Sequence, residues 1–292
     1  MSDTARLYDV RYSRYAGDRE PRWRGVLALA RSSATRALGV RRTRGAKVWP
    51  FLLVVCAHLP AVAALGIPLL FDDAPPPLEL VSYVDLLMII TPVLVAFAAT
   101  TLPSLLTRER RDRVLSLYFS TAMSPGEYLA GKALAAVALM SLVTLSPLLV
   151  LLVGSIVTAD APLDLVRDYA GHVVPVLAGG AVVALYFAAL GLLAGSLTAK
   201  RLFAVGGLLA VLLVTPVVSG LVATLSDRPE IFAGDLAFAP LRAASTVLPL
   251  GDFGEDDGME QPPDGLVWAV VGGVVLLAAV VLPLRYRTRD DA

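Results

Sequence analysis

The stretch YVDLLMIITPVLVAFAATTLPSLL, residues 83–106, decides the fold class of this chain. Its one charged residue is Asp85, and the remaining side chains are apolar or carry a hydroxyl group. A helix of roughly 20 such residues is long enough to cross the hydrocarbon core of a bilayer, about 30 Å thick. The stretch therefore predicts a transmembrane helix.

Five more blocks share this length and character, and they cover residues 48–71, 132–158, 171–198, 202–226 and 265–284. The 292-residue chain is 57% hydrophobic and 17% charged, whereas soluble domains are about 45–50% apolar and about 25% charged. The single cysteine excludes a disulfide within one chain. These features predict an all-α polytopic membrane protein with six transmembrane helices in a domain spanning residues 48–284.

Basic residues predict how the six spans are oriented. Of the 25 Arg and Lys side chains, 22 fall on the side of the N-terminus and 3 on the opposite side. Asp and Glu have the opposite distribution: 9 fall on the side of the N-terminus and 16 on the opposite side. Cytoplasmic loops carry the excess of Arg and Lys. We therefore predict a cytoplasmic N-terminal segment over residues 1–47 and a cytoplasmic tail over 285–292.

Residues 22–39, RWRGVLALARSSATRALG, have the pattern of an amphipathic helix. One stripe carries Trp23, Leu27, Ala30, Ala34 and Leu38. A basic amphipathic helix with a tryptophan lies naturally in the headgroup region. We predict an interfacial helix, and a soluble surface helix remains the alternative.

Residues 227–264 form the longest loop on the predicted external side. The segment IFAGDLAFAPLRAASTVLP within it is too short and interrupted to span a membrane. We predict short re-entrant or interfacial helices between the fifth and sixth spans. The acidic run EDDGME, 255–260, lacks the ligand spacing of a calcium loop, so we interpret it as solvated.

The spans offer little for catalysis. His58 is the deepest ionisable residue, and we interpret it as a hydrogen-bonded packing residue. A Ser155–His172 pair is geometrically possible near the external face, but no nucleophile elbow or oxyanion signature accompanies it. We expect no enzyme activity, no metal site and no cofactor in this chain.

Residues 107–132, TRERRDRVLSLYFSTAMSPGEYLAGK, form the only substantial loop between spans on the N-terminal side. Alternating charges are followed by an apolar cluster with Leu115, Tyr118 and Phe119. Exposed apolar clusters of this kind mark partner contacts. The residues alone leave a partner groove and a helix resting on lipid headgroups equally open.

The end of this loop contains a near-miss to a phosphate-binding loop. Gly126, Gly131 and Lys132 have the G-x-x-x-x-G-K spacing, but Ala133 replaces the Ser or Thr that would ligate Mg²⁺. Ser124 and Glu127 instead fit a capping box at the start of a helix. A helix through this stretch excludes the loop that a phosphate needs, so we predict no nucleotide site here.

The loop resembles that of the permease subunits of ABC-2-type exporters. In that family a charged turn after the second span leads through a leucine-rich segment to a Ser-Pro turn and a Gly-Lys pair at the third span. The matching positions here are Glu109, Arg110, Leu115, Leu117, Ser120, Ser124, Tyr128, Gly131 and Lys132. The six spans, the N-terminal helix and the long external segment extend the resemblance over essentially the whole chain.

The resemblance implies a half-transporter in a prokaryotic plasma membrane. Two permease copies would pair around a pathway, with two separate ATP-binding subunits carrying ATP and Mg²⁺, and no nucleic acid would be involved. Residues 105–132 would couple the permease to the ATPase through Glu109, Arg110, Arg113, Leu115, Tyr118 and Phe119. Ser124, Glu127 and Lys132 would form the helix start that follows.

Two other functions remain open at this stage. One is a membrane scaffold without transport, and the other is a secondary transporter, although the spans lack midplane carboxylates for a coupling ion. Apolar spans with scattered hydroxyl groups favour a lipid-like or amphipathic cargo, such as a drug or an antibiotic, over small ions.

Overall fold

A computed structural model describes residues 21–40, 44–71, 73–111, 123–159, 169–251, 253 and 261–287. These residues contain helices and no strand. The all-helical fold predicted from the apolar blocks is confirmed.

The helices follow the chain in a simple order. They are α1 (Arg22–Ala37), α2 (Arg44–Leu70), α3 (Pro77–Leu80), α4 (Tyr83–Thr101), α5 (Ser104–Arg111), α6 (Pro125–Ser141), α7 (Leu145–Val157), α8 (Val173–Leu197), α9 (Arg201–Ser226), α10 (Ala239–Ser245) and α11 (Asp264–Arg287). Short 3₁₀ turns cover Ala170–His172 and Pro229–Gly234.

Among the described residues, five continuous stretches are long and apolar enough to cross a membrane: Lys47–Leu70, Tyr83–Glu109, Ala170–Leu197, Arg201–Ser226 and Asp264–Tyr286. The α6–α7 pair passes the same test as one bent unit. Its start lies beside Glu109, at the end of the second stretch. Its other half packs Gly154 against Leu65, near the end of the first. Because the pair joins opposite ends of the bundle, we count it as a sixth span.

This third span differs from the continuous helix predicted over 132–158. Its helix begins earlier, at Pro125, and is interrupted between Ser141 and Leu145, with a bend of 40°. Pro147 explains the interruption, since its ring clashes with the carbonyl four residues earlier and it has no N–H to donate.

Hydroxyl groups bond to two of the carbonyls around the bend. The Thr144 hydroxyl donates to the carbonyl of Met140 at 3.1 Å. The Ser146 hydroxyl lies 2.6 Å from the carbonyl oxygen of Leu142. Ser146 also lies 2.8 Å from His58 Nε2. Broken helices are tolerated at membrane depth where such groups re-satisfy the backbone.

Two glycines let α8 approach the turn between α4 and α5. A Cβ atom on Gly191 would lie 2.4 Å from the Cβ of Leu102, and one on Gly195 would lie 2.9 Å from the carbonyl oxygen of Pro103. These are backbone or backbone-proximal atoms that cannot rotate away. The small-residue pair at four-residue spacing therefore permits close helix packing, as the sequence predicts.

We expect Gly195→Ala to lower the free energy of unfolding by about 1–3 kcal/mol, the usual cost of overpacking. The matched control is Gly206→Ala in α9, where nothing lies within 4 Å of the added methyl group. That control should be neutral or slightly stabilising, because alanine favours helix over glycine. Thermal unfolding of both variants in detergent measures the difference. Equal melting temperatures would contradict the close approach.

Helix α1 packs along the first turns of α6. Leu29, Ala30 and Ser33 form its buried face, while Trp23 and Leu27 are 58% and 47% exposed. The helix expected over 22–39 is therefore present, with its aromatic end free to meet lipid. Its placement in the headgroup region stays a prediction.

The segment between α9 and α11 folds back into the bundle. Helix α10 packs against α8, α11 and α4, and its Leu241, Ala243 and Ala244 are almost fully buried. Tyr186 of α8 donates to the carbonyl of Leu236 at 3.0 Å. The short helices expected in this loop are thus part of the packed core, which positions the ends of three spans.

Candidate functional site

Helix α6 begins as the sequence predicts. The Ser124 hydroxyl accepts from the Glu127 amide at 3.3 Å, and the Glu127 carboxylate accepts from the Ser124 amide at 2.8 Å. Ser124 and Glu127 therefore form a complete capping box, with Pro125 at the first helical position. The stretch from Gly126 to Lys132 is helix, as the capping box predicts. The absence of a nucleotide site stays a prediction.

Glu109 lies at the centre of a buried polar network. Its carboxylate accepts from Lys132 Nζ at 2.6 Å and from the Tyr128 hydroxyl at 2.5 Å. A second cation, Arg36, lies 3.6 Å away. Lys132 also donates to the Ser33 hydroxyl at 3.0 Å. The side chains of Lys132 and Glu109 are only 2% and 7% exposed.

Four helices meet at this network. Glu109 comes from α5, Tyr128 and Lys132 come from α6, and Arg36 comes from α1. The Tyr128 ring also packs on Tyr286 of α11 at 5.8 Å between centroids. The network therefore joins the two helices that flank residues 112–122 to α1 and to the last span.

The close approach of α1 explains why residue 131, in the stretch that resembles a phosphate-binding loop, is a glycine. A Cβ on Gly131 would lie 2.9 Å from Leu29 Cδ2 and 3.2 Å from the carbonyl oxygen of Val26. Glycine at this position lets α1 come near enough for Ser33 to reach Lys132. The motif thus has a packing role.

The predicted coupling residues divide between two regions. Arg113, Leu115, Tyr118 and Phe119 lie outside the described residues. Arg110 belongs to α5. Glu109 points into the chain's own interior, where it anchors the segment that leads into residues 112–122. Contact of these residues with an ATPase stays a prediction.

The candidates for catalysis are engaged in helix packing. The Ser155 hydroxyl donates to the carbonyl of Leu151 at 2.7 Å. His172 lies 3.5 Å from the Tyr83 hydroxyl. His58 Nδ1 lies 2.8 Å from the carbonyl oxygen of Val54, which together with Ser146 confirms its interpretation as a hydrogen-bonded packing residue. Within the described ranges no group of three metal-ligating side chains occurs.

Sequence reasoning missed Ser33 and Arg36 as members of the network. The two residues are three apart on a helix and so share a face. The sequence offers that spacing as a signal, but the partner of this face is 99 positions from Ser33 along the chain. Only packing identifies it.

The sequence profile of the family described as ABC-2 family transporter protein matches residues 62–254. The chain belongs to this family. The match runs from the first span through the external segment and includes Glu109, Tyr128 and Lys132. No curated protein matches the chain. ABC-2 proteins are membrane transport components that normally pair with an ABC ATP-binding subunit, and this ABC-2 chain supplies the helical membrane part.

Proposed function

We propose that this chain is the permease subunit of an ATP-driven ABC-2-type exporter. Two copies form the pathway, two separate ATP-binding subunits supply ATP and Mg²⁺, and residues 105–132 receive the motion. Both termini lie in the cytoplasm of a prokaryotic cell, and the cargo is lipid-like or amphipathic. The family match supports this proposal.

The observation that carries the coupling proposal is the Glu109–Lys132 ion pair. Residues 112–122 leave from α5 and return to α6, and the ion pair holds those two helices together. A force applied to the intervening segment is thereby passed to α4 and α6 as a unit. Rigid-body movement of packed helices is an established route for such transitions.

Co-purification tests the proposal first. The chain is affinity-purified from its native membranes, and mass spectrometry identifies the proteins recovered with it. We expect an ABC ATP-binding subunit, which neither a scaffold nor a secondary transporter requires. Repeated recovery of the intact chain without such a subunit would contradict the exporter function.

Substitutions in the apolar cluster then test coupling in the reconstituted complex. We expect Phe119→Ala and Tyr118→Ala to lower ATPase activity in nanodiscs about tenfold, because each removes contact area from the proposed docking segment. The control is Phe71→Ala, an exposed aromatic residue at the opposite end of the bundle, which should remain within about twofold of wild type. Unchanged activity in both cluster variants would contradict the assigned surface.

A further inference from the structure

A cavity of about 600 Å³ lies at the same end of the bundle as the Glu109 network. Its walls come from the end of α1, the start of α2, the α4–α5 junction and the start of α9. The residues that matter below are Arg36, Trp49, Thr100, Thr107, Arg111 and Arg201. Ligand sites in proteins usually enclose about 300–1,000 Å³, so the space suits a small molecule or a headgroup.

The cavity wall is strongly basic. Its charged residues are Arg36, Arg108, Arg111, Arg201, Lys132 and Glu109. Glu109 is the one carboxylate among these lining residues, and it lies 2.6 Å from Lys132 and 3.6 Å from Arg36. Cations therefore outnumber anions along the wall. A concave surface of one sign concentrates ions of the opposite sign. Arginine guanidinium groups match the geometry of phosphate oxygens and bind them in bidentate fashion.

Two arginines are held in place by backbone contacts. Arg201 Nη2 donates to the carbonyl of Thr100 at 3.0 Å, and Arg36 Nε donates to the carbonyl of Ser32 at 3.1 Å. Thr107 contributes a buried hydroxyl that has no hydrogen-bond partner within the described part of the chain. Because this hydroxyl has almost no exposed surface, it lies behind the cavity wall, and the arginines are the groups that can contact a ligand.

The surroundings of the cavity suit a lipid. Trp49 is half exposed, and its indole N–H donates to the Thr100 hydroxyl at 3.3 Å. Next to the wall residues Pro50 and Arg201, the side chains of Phe51 and Leu202 are 48% and 81% exposed. Tryptophan with exposed apolar neighbours is typical of the headgroup boundary.

We propose that this cavity binds the phosphate of an anionic phospholipid from the leaflet at this end of the bundle. The guanidinium groups of Arg36 and Arg201 bind the phosphate, while the acyl chains lie along the apolar faces of α2 and α9. Basic pockets between transmembrane helices recognise anionic headgroups in this way. The site does not require an ATPase, so its test is independent of the proposed exporter function.

Lipid binding by the purified full-length chain tests this site. The probe is phosphatidylglycerol, compared with phosphatidylcholine, in native mass spectrometry and in thermal unfolding. The variant R36Q/R201Q removes the two gripping arginines. The control R31Q/K200Q removes two charges from α1 and from the residue preceding α9, neither of which lines the cavity.

We expect R36Q/R201Q to weaken phosphatidylglycerol binding at least tenfold and to lose the stabilisation that this lipid gives to wild type. The affinity of the control R31Q/K200Q for phosphatidylglycerol should stay within about twofold of wild type. R36K/R201K keeps the charge but loses the bidentate geometry, so its affinity for phosphatidylglycerol should lie between those of R36Q/R201Q and the control. This variant also shows whether a loss in R36Q/R201Q comes from misfolding.

Four results would overturn the proposal. The first is equal loss in the two double variants, and the second is equal binding of phosphatidylglycerol and phosphatidylcholine. The third is stabilisation by glycerol 3-phosphate that equals the effect of phosphatidylglycerol, which would assign the site to a soluble phosphate. Loss of a co-purified ATP-binding subunit with lipid binding intact would likewise overturn it, by making the cavity a protein contact.

Discussion

Glu109→Gln lowers the free energy of unfolding by about 3–5 kcal/mol, the usual cost of removing one partner from a buried ion pair. The substitution leaves Lys132 almost fully buried without its counter-charge. Arg36 loses the same carboxylate, which lies 3.6 Å from it in the wild type. The expected fall in melting temperature is roughly 10 °C.

Lys132→Met should cost less than Glu109→Gln, because Arg36 remains as a cation beside the carboxylate. The double variant E109Q/K132M should be more stable than E109Q alone, since no unpaired buried charge from this pair remains. Arg22→Gln is the control. It removes a partner from the exposed Arg22–Glu127 pair at 3.8 Å and should give no measurable loss.

Thermal unfolding of wild type, E109Q, K132M and E109Q/K132M in detergent forms a double-mutant cycle, which gives the coupling free energy between Glu109 and Lys132. Strictly additive single effects would show that the two side chains do not depend on each other, contrary to the structure.

Lys132→Met also separates a packing lysine from a nucleotide-binding lysine. With the complex assembled, its affinity for ATP should stay within about twofold of wild type, because Lys132 lies inside the capped helix α6. A large loss of ATP binding with the complex intact would restore the phosphate-loop interpretation.

Arg242→Met is expected to destabilise the segment between α9 and α11 by about 2–4 kcal/mol at neutral pH. Arg242 Nη1 donates to the carbonyl of Phe232 at 3.0 Å and lies 3.8 Å from Asp235 Oδ2. Its guanidinium also lies 4.6 Å from the ring centroid of Phe253. Removing it leaves the Asp235 carboxylate, 5% exposed, without this cation.

The effect of Arg242→Met should depend on pH in a definite direction. Burial raises the pKa of the Asp235 carboxyl, while the amides of Phe238 and Ala237 and the Arg242 charge oppose that rise. Without Arg242 the pKa rises further. Between the ordinary value of about 3.9 and the raised one, the folded variant binds the proton more readily than the unfolded chain. Its unfolding free energy therefore increases as pH falls through this window.

The loss of unfolding free energy in R242M relative to wild type should accordingly be smaller at pH 5 than at pH 7.5. The D235N background carries no titrating group at position 235, so the loss of unfolding free energy in D235N/R242M relative to D235N should not change over that range. The asparagine side chain in that variant keeps an oxygen for the Ala237 and Phe238 amides, which Asp235 Oδ1 accepts at 3.0 and 3.2 Å. A deficit in R242M that is the same at both pH values would contradict an ionised, buried Asp235.

The sequence alone determined the helical class, the places where the spans lie and the start of α6. Spans follow from bilayer thickness, because a chain must offer roughly 20 apolar residues in a row to cross it. The capping box of Ser124 and Glu127 is equally readable, since it depends on residues three positions apart.

Only the tertiary structure decided which side chains meet. A span that is apolar on every side shows no periodicity that marks its packed face. The sequence therefore could not reveal that Glu109 pairs with Lys132 or that Arg201 reaches Thr100, 101 positions away. It also could not separate the bend before Pro147 from the unbroken helix through Pro92, because local hydroxyl groups and neighbouring helices determine how each freed carbonyl is satisfied.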